Sequence, residues 1–129
     1  MESSMRAQIR HAAFALIATA GIAGIAEARA PAPVATPIGK AEDCIQLQSI
    51  RETRVRDDRT IDFYMRNRKV YRNTLAGTCP QLGFEERFTY RTSLSKLCST
   101  DIITVLVSPN FTRGASCGLG KFQPVQLSR

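Results

Sequence analysis

Histidine and tryptophan are almost missing from this chain. Of its 129 residues one is histidine, His11, and none is tryptophan. His11 lies in an N-terminal stretch that reads as removable. Without it there is no histidine general base, no Ser-His or Cys-His nucleophile pair and no His ligand for a metal. Acidic residues are also few. Eleven Asp and Glu stand against 18 Lys and Arg, a formal net charge of +7. Long apolar runs are absent too. The longest uncharged apolar stretch, residues 12–26, has fifteen residues rich in Ala and Gly, short of the roughly 20 that a membrane-spanning helix needs. No two cysteines are spaced C-x-x-C, which argues against zinc and against a thioredoxin-like redox pair.

What is present begins with an export signal. Arg6 and Arg10 precede the apolar run, and the small-residue sites 26–28 and 28–30 follow it. This is the basic, apolar and A-x-A order of a secretory signal peptide. Pro31 would follow a cut after Ala30, and proline constrains the backbone beside a scissile bond, so cleavage is expected after Ala28. Residues 1–28 contain two basic and two acidic residues, and their removal leaves the charge at +7. Residues 29–41, RAPAPVATPIGKA, have little to bury and read as a disordered Pro/Ala-rich leader. The folded domain is then expected over residues 42–129, in a periplasmic or secreted protein with no transmembrane anchor after cleavage.

Four cysteines remain, Cys44, Cys79, Cys98 and Cys117, spaced by 35, 19 and 19. An even count in a short exported chain predicts two disulfides, with three possible connectivities. The expected pairs are Cys44–Cys117, tying the two ends of the domain, and Cys79–Cys98, stapling the strands around residues 84–92.

Strand patterns dominate the domain. Residues 48–75 read as a three-stranded meander with turns at residues 56–59 and at Asn67-Arg68, Asn67 taking the positive φ. Within it Ile61, Phe63 and Met65 share one face, while Thr60, Asp62, Tyr64 and Arg66 share the other. Residues 44–47 form a first strand or a short helical turn. Residues 84–92 alternate as a further strand, with Phe84, Phe88 and Tyr90 on one face. A single helical turn over residues 93–98 would bring Leu94 and Leu97 together. Residues 101–107, DIITVLV, are the most apolar run and read as a central strand. Residues 109–116 read as a polar loop before a last glycine-rich strand from residue 117 to about residue 125. The fold class is all-β: a small antiparallel barrel or sandwich of about six short strands, stapled by disulfides.

Catalytic motifs fail on spacing or context. Ser93-Leu94-Ser95-Lys96 matches S-x-x-K but lacks the companion motifs and scaffold size of those acyl-transfer enzymes. Residues 114–122, GASCGLGKF, place five residues between Gly114 and Gly120 and a phenylalanine where a P-loop needs a hydroxyl. Their glycines instead suit a bulge or a close backbone approach. Asp57, Asp58 and Asp62 are too far apart for a calcium loop and lie among arginines, which favours turn shaping and charge pairing across the hairpin. Asp62 and Asp101 are the carboxylates that an acid–base enzyme would use. No cofactor, metal or catalytic group is expected, and the chain reads as a non-enzyme.

The arginines of the meander are its most distinctive feature. Arg54, Arg56, Arg66, Arg72 and Tyr64, if they share the outward face, form a surface able to grip phosphates or anionic glycans by bidentate contacts. The plain alternative is a solvated basic face that keeps the domain dispersed and its edge unpaired. Specific nucleic-acid binding is not expected of an exported chain.

Several segments occur in a familiar order: Cys44-Ile45, then residues 55–63 (VRDDRTIDF), residues 70–75 (VYRNTL), Cys79-Pro80, residues 97–101 (LCSTD) and residues 117–120 (CGLG). Across residues 44–125 the chain resembles a family of small exported proteobacterial proteins known only as a domain of unknown function, of a four-cysteine type. The resemblance implies export and paired cysteines, and supplies no activity. The expected function is a non-enzymatic periplasmic binding or interaction module whose basic face meets an anionic envelope component. The alternative is a disulfide-stapled inhibitor that inserts into a protein partner, an envelope or extracellular enzyme.

Overall fold

The computed structural model describes residues 15–18, 20, 21, 24, 31–92 and 94–128. The chain divides into two units, Met1–Ala30 and Pro31–Arg129. The described residues of the first unit contain no strand or helix. The expected signal peptide and its cleavage site lie almost wholly outside the described residues, as does Ser93 of the S-x-x-K match. None of the helices among the described residues is long and apolar enough to cross a membrane.

The second unit holds ten strands among its described residues, more than the six or so expected. They are β1 (Ala35–Pro37), β2 (Cys44–Gln46), β3 (Ile50–Val55), β4 (Thr60–Met65), β5 (Val70–Thr74), β6 (Phe88–Tyr90), β7 (Lys96–Cys98), β8 (Ile102–Val107), β9 (Thr112–Gly118) and β10 (Phe122–Leu127). A five-stranded sheet runs β1-β10-β5-β4-β3, a three-stranded sheet runs β6-β8-β9, and β2 pairs with β7. Every pairing is antiparallel. The sheets stay open and do not close into a barrel.

The meander β3-β4-β5 forms as its alternation requires. Ile61, Phe63 and Met65 are buried on the inner face, where they meet Ile103 and Val105 of β8 and Phe88 of β6 in one core. Phe63 sits edge-on to Phe122 and Phe88, with centroids 5.3 and 6.4 Å away. Each such ring removed from water stabilises the fold by about 2–3 kcal/mol. On β5 the inward residues are Tyr71 and the fully buried Asn73. The Asn73 amide donates to Gly120 O (2.7 Å) and accepts from Gly120 N–H (2.8 Å). This clamp ties β5 to the start of β10. A Cβ at Gly120 would collide with the Thr74 carbonyl oxygen, so the close backbone approach needs glycine there.

Several expectations are corrected. Residues 29–41 are not simply a disordered leader, because β1 pairs with β10, with Ala35 opposite Leu127 and Pro37 opposite Val125. A Pro-containing strand is tolerated because β1 is an edge. Residues 44–49 supply both a strand, β2, and a 3-10 turn, Leu47–Ser49. At the β4–β5 turn it is Arg68, with φ 70°, and not Asn67 that takes the left-handed backbone. Arg68 N–H donates to Met65 O and Met65 N–H to Lys69 O, a type I turn followed by a left-handed residue.

The strand expected over residues 84–92 shortens to β6, because Leu82–Glu85 folds as one helical turn, α1. Tertiary contacts hold that turn: Cys79 N–H donates to Asp58 O and Gly83 N–H to Asp58 Oδ1. Phe84 is consequently 84% exposed. Residues 96–98 form a strand and not a helical turn, so Leu97 is buried while Leu94 is exposed. Strand β8 is central to its sheet, yet only one face is fully buried, through Ile103 and Val105. The expected loop 109–116 is mostly strand β9, whose exposed polar residues hid its alternation.

The disulfides are Cys44–Cys98 and Cys79–Cys117, not the expected pairs. Cys44 and Cys98 are direct partners in the β2–β7 register. Cys117 on β9 reaches Cys79 in the segment after β5, linking the three-stranded sheet to the meander.

A candidate anion-binding groove

Strands β3, β4 and β5 turn a row of polar side chains outward, and the ladder decides their neighbours. Asp62 stands opposite Arg54 on one side and Arg72 on the other, and Tyr64 opposite Glu52 and Val70. Asp62 is on the outward face yet fully buried, because two arginines fold over it. Arg56 Nε donates to Asp62 Oδ2 (2.8 Å), and Arg72 donates through Nε to Oδ1 (2.8 Å) and through Nη2 to Oδ2 (3.0 Å). Arg72 Nη2 also reaches Pro33 O (3.1 Å), which brings the chain before β1 into the site. The hydrogen bond to Asp62 raises the Arg72 pKa above its ordinary value, against the opposing effect of burial. Two guanidiniums share one carboxylate, so the cluster keeps a net positive charge.

Arg56, with 15% of its side chain exposed, is held a second time, because its Nη2 donates to the Tyr64 hydroxyl (2.9 Å). Arg54 lies over the Tyr64 ring, its Cζ 4.9 Å from the centroid, and its Nη2 pairs with Glu52 at 3.0 Å. Of the five residues expected to share this face, Arg54, Arg56, Tyr64 and Arg72 do so. Arg66 does not: its Nε donates to Gln48 O (3.0 Å) beside the 3-10 turn.

Next to Tyr64 the face opens into a groove of about 510 Å³. Arg54, Arg56, Arg68 and Lys69 line it, with no carboxylate among the lining residues. Among the described residues Arg68 and Lys69 make no ion pair. The lining continues with Val70 of β5, Pro33 and Ile38 flanking β1, and Val125 and Leu127 of β10. Arg72 does not line the groove but braces it from the Asp62 cluster.

Arg68 and Lys69 lie within residues 48–75 but outside the face expected from the alternation. Their charge at a tight turn was the available signal. The alternation had no means of finding the β1 and β10 residues, some 30 to 60 positions away, which only strand pairing brings alongside.

The aspartates considered for calcium have separate structural tasks. Asp57 Oδ1 accepts from Arg59 N–H (2.8 Å) within its turn, Asp58 holds Gly83, and Asp62 holds two arginines. Asp101 Oδ2 accepts from Cys98 N–H (2.7 Å) in the turn between β7 and β8, apart from the β4 position of Asp62. A second cavity, about 320 Å³, contains Tyr71, Glu42 and Lys96. Burial first, then a hydrogen bond to Glu42 and that carboxylate's charge, push the Tyr71 pKa from 10.0 up to about 12. A third cavity, about 710 Å³, lies between Ile50 and Thr53 of β3 and Phe88 and Tyr90 of β6. Comparison with known protein families, curated proteins and solved structures finds no match to this chain.

Proposed function

We propose that this domain is an exported, non-enzymatic binding module that takes an anionic component of the bacterial envelope into the groove beside Tyr64. The observation that carries this reading is the convergence of Arg54, Arg56, Arg68 and Lys69 on one groove whose lining has no carboxylate. Arg56 is already desolvated and fixed by Asp62 and Tyr64, so little side-chain entropy remains to be lost when an anion arrives. Paired cysteines favour an oxidising compartment. The basic, apolar and A-x-A order of the N-terminal residues supports the same compartment.

The test is titration of the purified exported protein with inorganic phosphate, peptidoglycan fragments and lipopolysaccharide at low and high salt. Binding of at least one anion should weaken as salt rises. The double variant Arg68→Glu/Lys69→Glu should weaken it by about tenfold or more, given the cost of like charge at short range. Binding that ignores salt, or no binding to any of the three, overturns the reading.

A second reading, insertion into a protein partner, is favoured by the surface at the C-terminal end of β8. There Phe84 and Phe111 are 84% and 50% exposed. Glu85 Oε2 accepts from Ser108 N–H and Oγ (3.1 and 2.9 Å), fixing α1 to the β8–β9 tip. Left-handed Gln81, Glu86 and Phe111 hold these rings on strained turns, a feature often found at working surfaces. Co-purification of one stoichiometric partner, lost in Phe84→Ser/Phe111→Ser, supports this reading. A partner retained by that variant refutes it.

A further inference from the structure

The groove beside Tyr64 has two chemically distinct halves. One carries the cations Arg54, Arg56, Arg68 and Lys69. The other is mainly apolar, made by Ile38, Val70, Val125 and Leu127 with Gln126 and Ser128 among them, and the register sets Val125 beside Val70. Ile38 is 61% exposed, although its N–H is tied to Pro124 O (3.0 Å) and so its position is set by the backbone. An isolated phosphate or a hydrophilic glycan would use only the first half. A fully apolar ligand would leave Arg68 and Lys69, which make no ion pair among the described residues, without a counter-charge.

The geometry points to a single-chain amphiphilic anion as the ligand: a phosphate or carboxylate head against Arg56 and the turn residues Arg68 and Lys69, with an alkyl or acyl chain along the apolar half. This rests on the anion-binding reading and adds the ligand class. The Arg56 guanidinium, oriented by Asp62 Oδ2 and the Tyr64 hydroxyl, presents a fixed donor to the head group. Arg68 and Lys69 add charge at the rim, and Val70 on the adjoining strand begins the apolar half. The chain then crosses from β5 to β10 and ends near Ile38. The groove thus depends on β1 and its flanking residues as much as on the basic meander.

The two ideas separate in one experiment, a titration of the exported protein with inorganic phosphate and with n-alkyl phosphates of increasing length, each below its micelle concentration. An alkyl glucoside of matched length is the neutral control. Affinity should rise roughly fourfold per added methylene until the apolar half is filled, as expected for burying a CH₂ group. The neutral glucoside should bind more weakly than the phosphate of equal length. Ile38→Ser/Leu127→Ser should flatten the dependence on chain length while leaving inorganic phosphate binding in place. Lys69→Glu should weaken every phosphate.

Phosphate binding that ignores chain length overturns the amphiphile and leaves the anion reading standing. No binding of any alkyl phosphate overturns the amphiphile, and the anion reading falls with it when peptidoglycan fragments and lipopolysaccharide also fail to bind. Chain-length dependence that survives in Ile38→Ser/Leu127→Ser refutes this location, provided the variant's unfolding transition matches the parent's. Binding to anionic vesicles with none to monomeric alkyl phosphates refutes a single-molecule ligand in favour of a membrane surface.

Discussion

Asp62 is the fully buried charged side chain among the described residues. Its carboxylate receives three hydrogen bonds from Arg56 and Arg72. Asp62→Ala leaves two largely buried guanidiniums facing each other and should lower stability by about 3–5 kcal/mol, read as a fall in urea midpoint. Tyr71 gives a pH signature of the opposite origin. Its pKa is raised on folding, so the stability it contributes is complete below pH 10.0 and is lost as pH climbs towards about 12. Urea unfolding at pH steps across that range should show Tyr71→Phe losing less stability than the parent. Equal losses would mean that Tyr71 titrates freely. The pairing of Asp62 with arginine was legible in the alternation of residues 60–66. Its burial was not, because an outward strand position is normally solvated and only the two folded-over side chains dry it.

At the scale of elements, the β4–β5 turn joins stability to binding. Arg68 occupies a left-handed backbone, φ 70°, at a cost of about 1–2 kcal/mol for a residue with a Cβ. Arg68→Gly should therefore raise stability by about 1 kcal/mol while weakening anion binding. A variant that binds as well as the parent would remove Arg68 from the site. The meander was readable because period-two alternation survives over six residues in β4. The short elements were not. Strand β6 has three residues, and α1 exists because Asp58 captures Gly83 N–H from across the fold. Strand β9 is mostly polar and half-exposed, so no apolar period marks it.

At the scale of the whole molecule, one disulfide closes the two-stranded sheet β2–β7 and the other ties the three-stranded sheet to the segment after β5. They close chain separations of 54 and 38 residues, each restricting the unfolded chain by about 4 kcal/mol in the loop-entropy account. Nonreducing peptide mapping should recover Cys44–Cys98 and Cys79–Cys117, and a Cys44–Cys117 peptide would contradict the fold. Cys79→Ala/Cys117→Ala should lower stability by roughly that amount. Because Cys79 is fully buried where the meander meets the three-stranded sheet, the loss should fall on the docking of the sheets.

Local chemistry alone determined the strand character, the inward set Ile61, Phe63 and Met65, the basic meander, the two-disulfide count and the failure of catalytic motifs. Each follows from residue type and short-range periodicity. Tertiary structure decided the rest: which cysteines meet, that residues 35–37 of the Pro/Ala-rich leader become an edge strand, that Arg66 leaves the basic face, and that Arg68 and Lys69 share a groove with β10. Those outcomes depend on strand order and register between segments tens of residues apart. The free energies that select one register over another are sums over many contacts, and no single stretch of sequence carries them.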